Sequence, residues 1–490
     1  MLLLGIDIGT SSIKVAVVDS QTQRVLVSAQ YPDEESLITA KQNGWAEQSP
    51  EMWWTHVQQA FKRCKETDTF RAADIAAIGI AYQMHGLVLV DKDQKLLRDS
   101  IIWCDSRAVE LGDTAFDTLG YDFCRSHLLN SPGNFTASKL AWVKQNEPEV
   151  YARADKFMLP GDFIAMKLTG SITTSISALS EGIFWDFQTN SVSAELMDYY
   201  GFDDQLIPEI KPVFSEHGTV TAEIARLLGL SKGTPVSYKS GDQPNNALSL
   251  NVLQPGEVAA TAGTSGVIYG VSDQLTSDPQ SRVNTFAHVN YTTEEKRLGI
   301  LLCINGTGSL NRWAKNLFGS SVNYQQMNAE AAAVKAGAEG LSIVPFGNGA
   351  ERMLNNKQPG AQFHHIDFNL HSRAHIFRAV QEGIAFAFRY GFDIMRSNGL
   401  NPTVIRAGKA NLFLSSLFLE TFVNTIGVPV ELYENDGSVG AALGAGIGAA
   451  IFATPAEAFS QIKALTLIEP KTDTAAVCEP LYQDWLTLLK

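Results

Sequence analysis

An α/β protein made of two related lobes is what this sequence predicts, on three observations. A Gly9-Thr10-Ser11 turn near the N-terminus joins two apolar runs, residues 2–8 and 13–18. The same word returns at Gly263-Thr264-Ser265, between apolar runs at 257–262 and 267–271. Stretches of helical spacing lie between such runs, as where Trp53, Trp54, Val57 and Phe61 recur along residues 50–64.

Each element follows from its local chemistry. Residues 2–8, broken by Asp7, and 13–18 read as antiparallel strands about a glycine turn, with a third strand over 24–29. Residues 75–81 form a further strand-like run. The second copy adds strands at 257–262, 267–271 and 298–304. A later unit reads as strand 403–407, a turn at Gly408, helix 411–426, strand 428–433 and a helix opening near Asp436-Gly437-Ser438. Gly440, Gly444 and Gly448 recur on that last helix, and close packing of a helix on a sheet is the reading preferred over a membrane helix pair. The seam falls near residues 244–255, where Pro255-Gly256 breaks the chain, giving lobes of residues 1–245 and 246–490.

Bulk properties narrow the function. With 490 residues, the chain is long enough for at least two domains at roughly 100–200 residues each. The 38 basic and 52 acidic residues leave a formal charge of −14, which repels a phosphate backbone and argues against nucleic acid as partner. Five cysteines, Cys64, Cys104, Cys124, Cys303 and Cys478, lack CxxC spacing, so a reducing, cytoplasmic setting is expected. Met1-Leu2-Leu3-Leu4 has no basic flank or cleavage site, and the apolar stretch 439–452 is shorter than the ~18 residues of a membrane span, so no membrane role is expected.

Phosphate chemistry is suggested by the turns. A strand that ends near an acid and runs into Gly-Thr-Ser presents amides and hydroxyls outward, a concavity that suits phosphate oxygens. Gly9, Thr10 and Ser11 form one such site, and Gly263, Thr264 and Ser265, followed by Gly266, form the other. Asp7 would be repelled by a bound phosphate unless a cation lay between them, which points to Mg²⁺; the alternative is that it bonds turn amides. Between the copies lies Ser240-Gly241-Asp242-Gln243-Pro244-Asn245-Asn246. Asp242 can accept a hydroxyl proton there, or serve as a turn aspartate opening a helix. Upstream, Gln83-Met84-His85-Gly86 and Trp103-Cys104-Asp105-Ser106-Arg107 follow short apolar runs. His85 and Asp105 can hydrogen-bond a sugar and Trp103 can cover its apolar face, though a lone His or Trp is more often a core residue.

In this order the motifs resemble those of the FGGY carbohydrate kinases. The resemblance spans nearly the whole chain and rests on Gly5 to Ser12, Gly44-Trp45-Ala46-Glu47-Gln48, Gln83 to Gly86, Trp103 to Arg107, Gly241-Asp242, Ala262 to Gly266, and Asp436 to Gly444. It implies two actin-like, ribonuclease H-like ATPase lobes with a central cleft, ATP and Mg²⁺, and a homodimer. Within the family Gln-Met-His-Gly looks like the xylulose kinase form, which implies D-xylulose phosphorylated at its 5-hydroxyl. Met84 and His85 would then touch the sugar, with Gln243 and Asn246 beside it. Asp242 would be the proton acceptor and, with Asp7, a neighbour of the metal, while adenosine would lie at Gly408 and Asn411.

Three departures stand out. Ala407 replaces a glycine of the adenosine turn, so it must keep an ordinary backbone conformation or the loop has shifted. Gln243 follows Asp242 where asparagine is usual, and Asn134 stands where glycine is common. The rivals are another kinase of the family, acting on gluconate, ribulose, L-xylulose or a deoxyketose, and a non-catalytic actin-like protein that binds sugar or nucleotide.

Overall fold

The computed structural model describes residues 1–319, 322–434 and 436–489. Its first sheet is formed by β1 (Leu2–Ile8), β2 (Ile13–Asp19), β3 (Val25–Tyr31), β4 (Ile75–Tyr82) and β5 (Val236–Gly241), in the order β5-β4-β1-β2-β3. The β1–β2 and β2–β3 pairs are antiparallel, while β4 runs parallel to both β1 and β5. On this sheet and beyond it lie α1 (Pro50–Lys65), α2 (Thr136–Asn146), α3 (Ile176–Glu181) and α4 (Asp242–Ser249).

The second sheet comprises β6 (Glu257–Ala262), β7 (Gly266–Ser272), β8 (Asn284–Ala287), β9 (Leu298–Ile304), β10 (Val404–Gly408), β11 (Val430–Tyr433) and β12 (Thr466–Ile468), in the order β8-β9-β7-β6-β10-β11-β12. Without its two edge strands it repeats the first: two antiparallel pairs, then two parallel neighbours. Helices α5 (Thr307–Leu317), α6 (Arg373–Ser397), α7 (Ser416–Ile426) and α8 (Gly437–Gly448) complete this half. The two related halves read from the repeated turn are present, each sheet carrying its own buried cluster of Leu, Ile, Val and Phe.

Helix α8 crosses over. Although it lies between β11 and β12 of the second sheet in sequence, it packs against the first, and small residues at the contact set the distance. A Cβ on Gly5 would come within 1.7 Å of the Ser438 carbonyl, and one on Gly444 within 2.7 Å of the Tyr238 ring. The preference for close helix-on-sheet packing is thus what the structure shows, with no room for larger side chains. A division between residues 245 and 246 falls inside α4, which packs on α8; Asn245 Nδ2 donates to the Gly437 carbonyl at 2.9 Å.

Two expectations need correction. The single helix over 411–426 is a 3₁₀ turn at Asn411–Leu414 and then α7, because Ser415 is extended and its hydroxyl caps the Phe418 amide. The third strand begins at Val25 and runs to Tyr31 rather than covering 24–29, with a bulge against β2 at its start. Among the described residues no helix is long and apolar enough to cross a membrane.

Candidate active site

Asp242 is the first residue of α4, and Gly241 before it ends β5, so the carboxylate stands where a central strand turns into a helix. Burial, reinforced by the charge of Asp7, pushes the Asp242 carboxyl up to about 7. Asp7, on β1, is itself pushed up to about 6, first by burial and then by Asp436, with Lys14 acting against the shift. A Cβ on Gly437 would lie 2.2 Å from Asp7 Oδ2, so the glycine lets the start of α8 press against this carboxylate. Asp436 caps α8 by accepting from the Ser438 amide, and it pairs with Lys14. Asp7 and Asp242 are thus two crowded carboxylates beside the first Gly-Thr-Ser turn. Their mutual repulsion is what a divalent cation relieves, so the residues fit Mg²⁺. Among the described residues no set of three His, Cys, Asp or Glu side chains converges in a metal-binding group, so remaining ligands would come from water and phosphate.

The Gln-Met-His-Gly segment leaves β4 next to this pair. A Cβ on Gly241 would meet Met84 Cγ at 2.6 Å, which places Met84 against the residue preceding Asp242. His85 has φ +61, a left-handed conformation rare for a side chain of this size. Its ring packs against Phe135 and, from β8 of the other half, Phe286, with centroids 4.8 and 5.4 Å away. Gln243 and Asn246 follow Asp242 on α4, and the Gln243 backbone and side chain both stabilise the ionised Asp242.

Asp105 does not reach the cleft as a free carboxylate, contrary to expectation. It is wholly buried, bound by Arg107 Nη2 at 2.7 Å and by the Ala46 amide at 2.5 Å. Arg107 in turn stacks 3.8 Å from the Trp45 ring and pairs with Glu47. Asp105 is therefore the anchor of the Gly44–Gln48 segment, a role its sequence neighbourhood did not separate from sugar binding. Asn134, the third departure, donates its amide to the Asp105 carbonyl. Trp103 is half-exposed, and its indole N–H donates to Thr10 Oγ1 at 2.9 Å, linking its loop to the first Gly-Thr-Ser turn. Thr10 Oγ1 donates on to Gln83 Oε1, and Gln83 Nε2 to Gln48 Oε1.

The second turn is held by main-chain contacts instead. Gly263 O accepts from the Gly308 amide at 2.9 Å and from Thr307 Oγ1 at 3.1 Å, and Thr264 O accepts from the Ser309 amide at 3.2 Å. A cavity of about 330 Å³ opens here, lined among others by Gly263, Thr264, Gly308, Asn311 and Asn411. That volume lies at the small end of ligand sites. Asn411 Nδ2 lies 3.5 Å from where a Gly263 Cβ would stand, so Asn411 and the second Gly-Thr-Ser turn share one cavity. Ser265 lies beside them at the tip of the hairpin, whereas Gly408 ends β10 without lining the cavity. Ala407 sits within β10, paired with Ala260 and Leu432, so it keeps an ordinary strand conformation and the loop bends after it, at Asn411 with φ +54.

Several residues at the site escaped sequence reasoning. Glu181 is fully buried, accepts from the His85 amide, and is held well above the usual carboxylate range, mainly by burial. Lys139 Nζ donates to the His85 carbonyl at 2.8 Å. Arg352, from the other half, donates to Asn284 Oδ1 and has no carboxylate ion pair among the described residues; its charge helps to keep the His85 ring neutral. Glu351 binds the Asn305 amide at 2.8 Å and braces the loop into α5. None lies in a turn word or a regular pattern, and only the fold brings them to the site.

Comparison with known proteins adds a second line of observation. A model of the FGGY family of carbohydrate kinases, N-terminal domain, matches residues 2–249, and its C-terminal counterpart matches residues 258–453. Xylulose kinase of Escherichia coli (strain K12) is 28% identical, covering 100% of both proteins. That of Haemophilus influenzae is 30% identical over 83% of this chain and 82% of the relative. Among solved structures, xylulose kinase from Rhodospirillum rubrum superposes with a TM-score of 0.88 at 26% identity, covering 100% of this chain and 98% of that one.

Proposed function

The chain belongs to the FGGY family of carbohydrate kinases, with that family's paired actin-like ATPase lobes, and on that premise we propose that it phosphorylates the 5-hydroxyl of D-xylulose with ATP. The observation that carries this reading is the position of Asp242 at the end of β5, with Met84 against the preceding Gly241 and Asp7 of β1 near enough for its charge to raise the Asp242 carboxyl. A carboxyl held near 7 is matched to taking a proton from a sugar hydroxyl at neutral pH. As the hydroxyl oxygen attacks the γ-phosphorus, the bond to the β-phosphate oxygen breaks, ADP leaves, and the hydroxyl proton passes to Asp242. Met84 and His85 orient the sugar, with Gln243 and Asn246 next to it. Gly9 to Ser11 and Gly263 to Ser265 hold the phosphates, and Gly408 and Asn411 flank the adenosine. Mg²⁺ held by Asp7 and Asp242 would neutralise phosphate charge. The sugar and first phosphate site would belong to residues 1–245 and the nucleotide to 246–490, in a cytoplasmic homodimer whose association sedimentation would measure.

An ADP-release assay across D-xylulose, L-xylulose, ribulose, fuculose, gluconate and glycerol tests the substrate. D-xylulose is expected among the best by kcat/KM; a poor showing removes the name of the sugar and leaves the kinase. Asp242→Ala should lower turnover by about 10³-fold or more while nucleotide binding persists. Wild-type turnover in that variant would remove Asp242 as base. One observation favours a second reading, an aldonate such as gluconate: near His85, Arg352 supplies a guanidinium with no carboxylate ion pair among the described residues. In that case gluconate leads the panel and Arg352→Gln weakens it selectively.

A further inference from the structure

His85 is held at three points. Its amide donates to Glu181 Oε1 at 3.1 Å, its ring Nδ1 lies 3.0 Å from the Glu181 carbonyl oxygen, and its own carbonyl accepts from Lys139 Nζ at 2.8 Å. These bonds explain how a histidine persists at φ +61, where the backbone alone is disfavoured. They also set the ring. A main-chain carbonyl only accepts, so Nδ1 carries the proton and Nε2 the lone pair. Burial first, and then the Lys139 charge, pushes the ring down to about 3, so it stays neutral at any working pH. Ring contacts with Phe135 and Phe286 fix its plane. Nε2 is therefore a hydrogen-bond acceptor of fixed direction, suited to a hydroxyl that donates.

Glu181 closes α3 and is fully buried. Its Oε2 has no hydrogen-bond partner among the described residues and lies 2.7 Å from the position of a Cβ on Gly241, the residue before Asp242. An ionised carboxylate left unpaired there would repel the base; an un-ionised acid holds the His85 amide without adding charge. Gly241 is required by the same geometry, because any side chain would strike both Glu181 and Met84.

We propose that Glu181, assisted by Lys139, is a positioning residue that fixes His85 as the hydroxyl acceptor of the sugar pocket. The proposal rests on the sugar-kinase reading of the same site. Glu181→Ala should raise KM for the best sugar of the panel by about tenfold or more, with kcat and KM for ATP changed much less. Glu181→Gln, isosteric with the neutral acid, should recover most of that loss. The Glu181→Ala/His85→Ala double variant should be no worse than His85→Ala, since Glu181 acts through His85. A kcat collapse in Glu181→Gln, or additive losses in the double variant, overturns the proposal.

Ring-¹⁵N NMR of histidine-labelled protein supplies a readout independent of turnover. The Nδ1–H tautomer of His85 should dominate in the wild type and in Glu181→Gln, since the main-chain carbonyl at 181 is kept, and the ring signals should broaden in Glu181→Ala, where loss of the side-chain bond to the His85 amide loosens the segment. An Nε2–H tautomer in the wild type defeats the proposal even if sugar is phosphorylated. The expected tautomer with no sugar turned over would instead defeat the kinase reading.

Discussion

The hairpin of β1 and β2 and the hairpin of β6 and β7 share one pairing scheme, yet their chemistry diverges at corresponding places. Three residues before Thr10 the first carries Asp7; three before Thr264 the second carries Thr261. The first turn is held through side chains, Thr10 between Trp103 and Gln83, and its neighbours are charged. The second is held through its main-chain carbonyls by the start of α5, and it borders an open cavity. Under the proposed function one duplicated unit would serve as two tools, the first managing charge at the reacting end and the second offering shape to the nucleotide. Folding requires only the shared part, the glycine turn and the apolar strands.

Changing Asp7 breaks the comparison most severely. Asp7→Asn gives the first hairpin an uncharged side chain like Thr261 of the second, and phosphoryl transfer should fall by about 10³-fold or more. Stability should move the other way. The Asp7 pKa rises on folding from 3.8 to about 6, so its proton stabilises the fold fully below about pH 4, and that contribution is lost as pH rises through about 6. The ligand-free wild type therefore carries a penalty at neutral pH of at most about 3 kcal/mol, less where water reaches the carboxylate. Calorimetry should find Asp7→Asn more stable than wild type, by a margin that widens from pH 5 to 8. A variant with unchanged turnover would deny the first hairpin its charge-handling role.

The second hairpin is tested through its clasp. A Cβ on Gly308 would lie 2.2 Å from Gly263 O, so Gly308→Ala must push α5 away from the turn. KM for ATP should rise by about 10–100-fold, the equivalent of losing one or two directed hydrogen bonds, with KM for sugar little altered. Equal effects on both substrates would mean that the two turns do not divide the labour.

Sequence and structure agree where one local rule suffices. The run around Asp7 and the run before Gly263 are apolar stretches broken by glycine, and each proved to be a strand at almost the expected bounds. That Asp242 and Met84 stand at neighbouring strand ends was legible because motif residues at strand ends converge in an α/β fold. Asp105 misled because an acid beside Arg107 in sequence reads the same whether it faces solvent, sugar or its own neighbour; only burial separates these. Glu181 was illegible for the opposite reason. It is 96 residues from His85, at the end of a short helix, and nothing local marks an acid destined for the interior. Ser415 hid a break in the predicted helix because serine serves equally well inside a polar turn and as a cap.

The smallest expected effect sharpens the distinction between side-chain and main-chain support. Trp103→Phe keeps an aromatic ring on a side chain that is 53% exposed and removes only the indole N–H bond to Thr10. Thr10 would keep its bond to Gln83, so the turn should loosen without collapsing. A hydrogen bond this close to solvent contributes about 0.5–1.5 kcal/mol, which corresponds to a two- to tenfold fall in kcat. KM for sugar should barely move if the residue acts on the phosphate turn, and should rise if the indole is chiefly a cover for the sugar face. Steady-state kinetics of this one variant therefore decides which of its two neighbours Trp103 serves. No single side chain in the second hairpin offers an equivalent test, because the bonds that hold its turn come from α5, two from the Gly308 and Ser309 amides and two from Thr307 Oγ1.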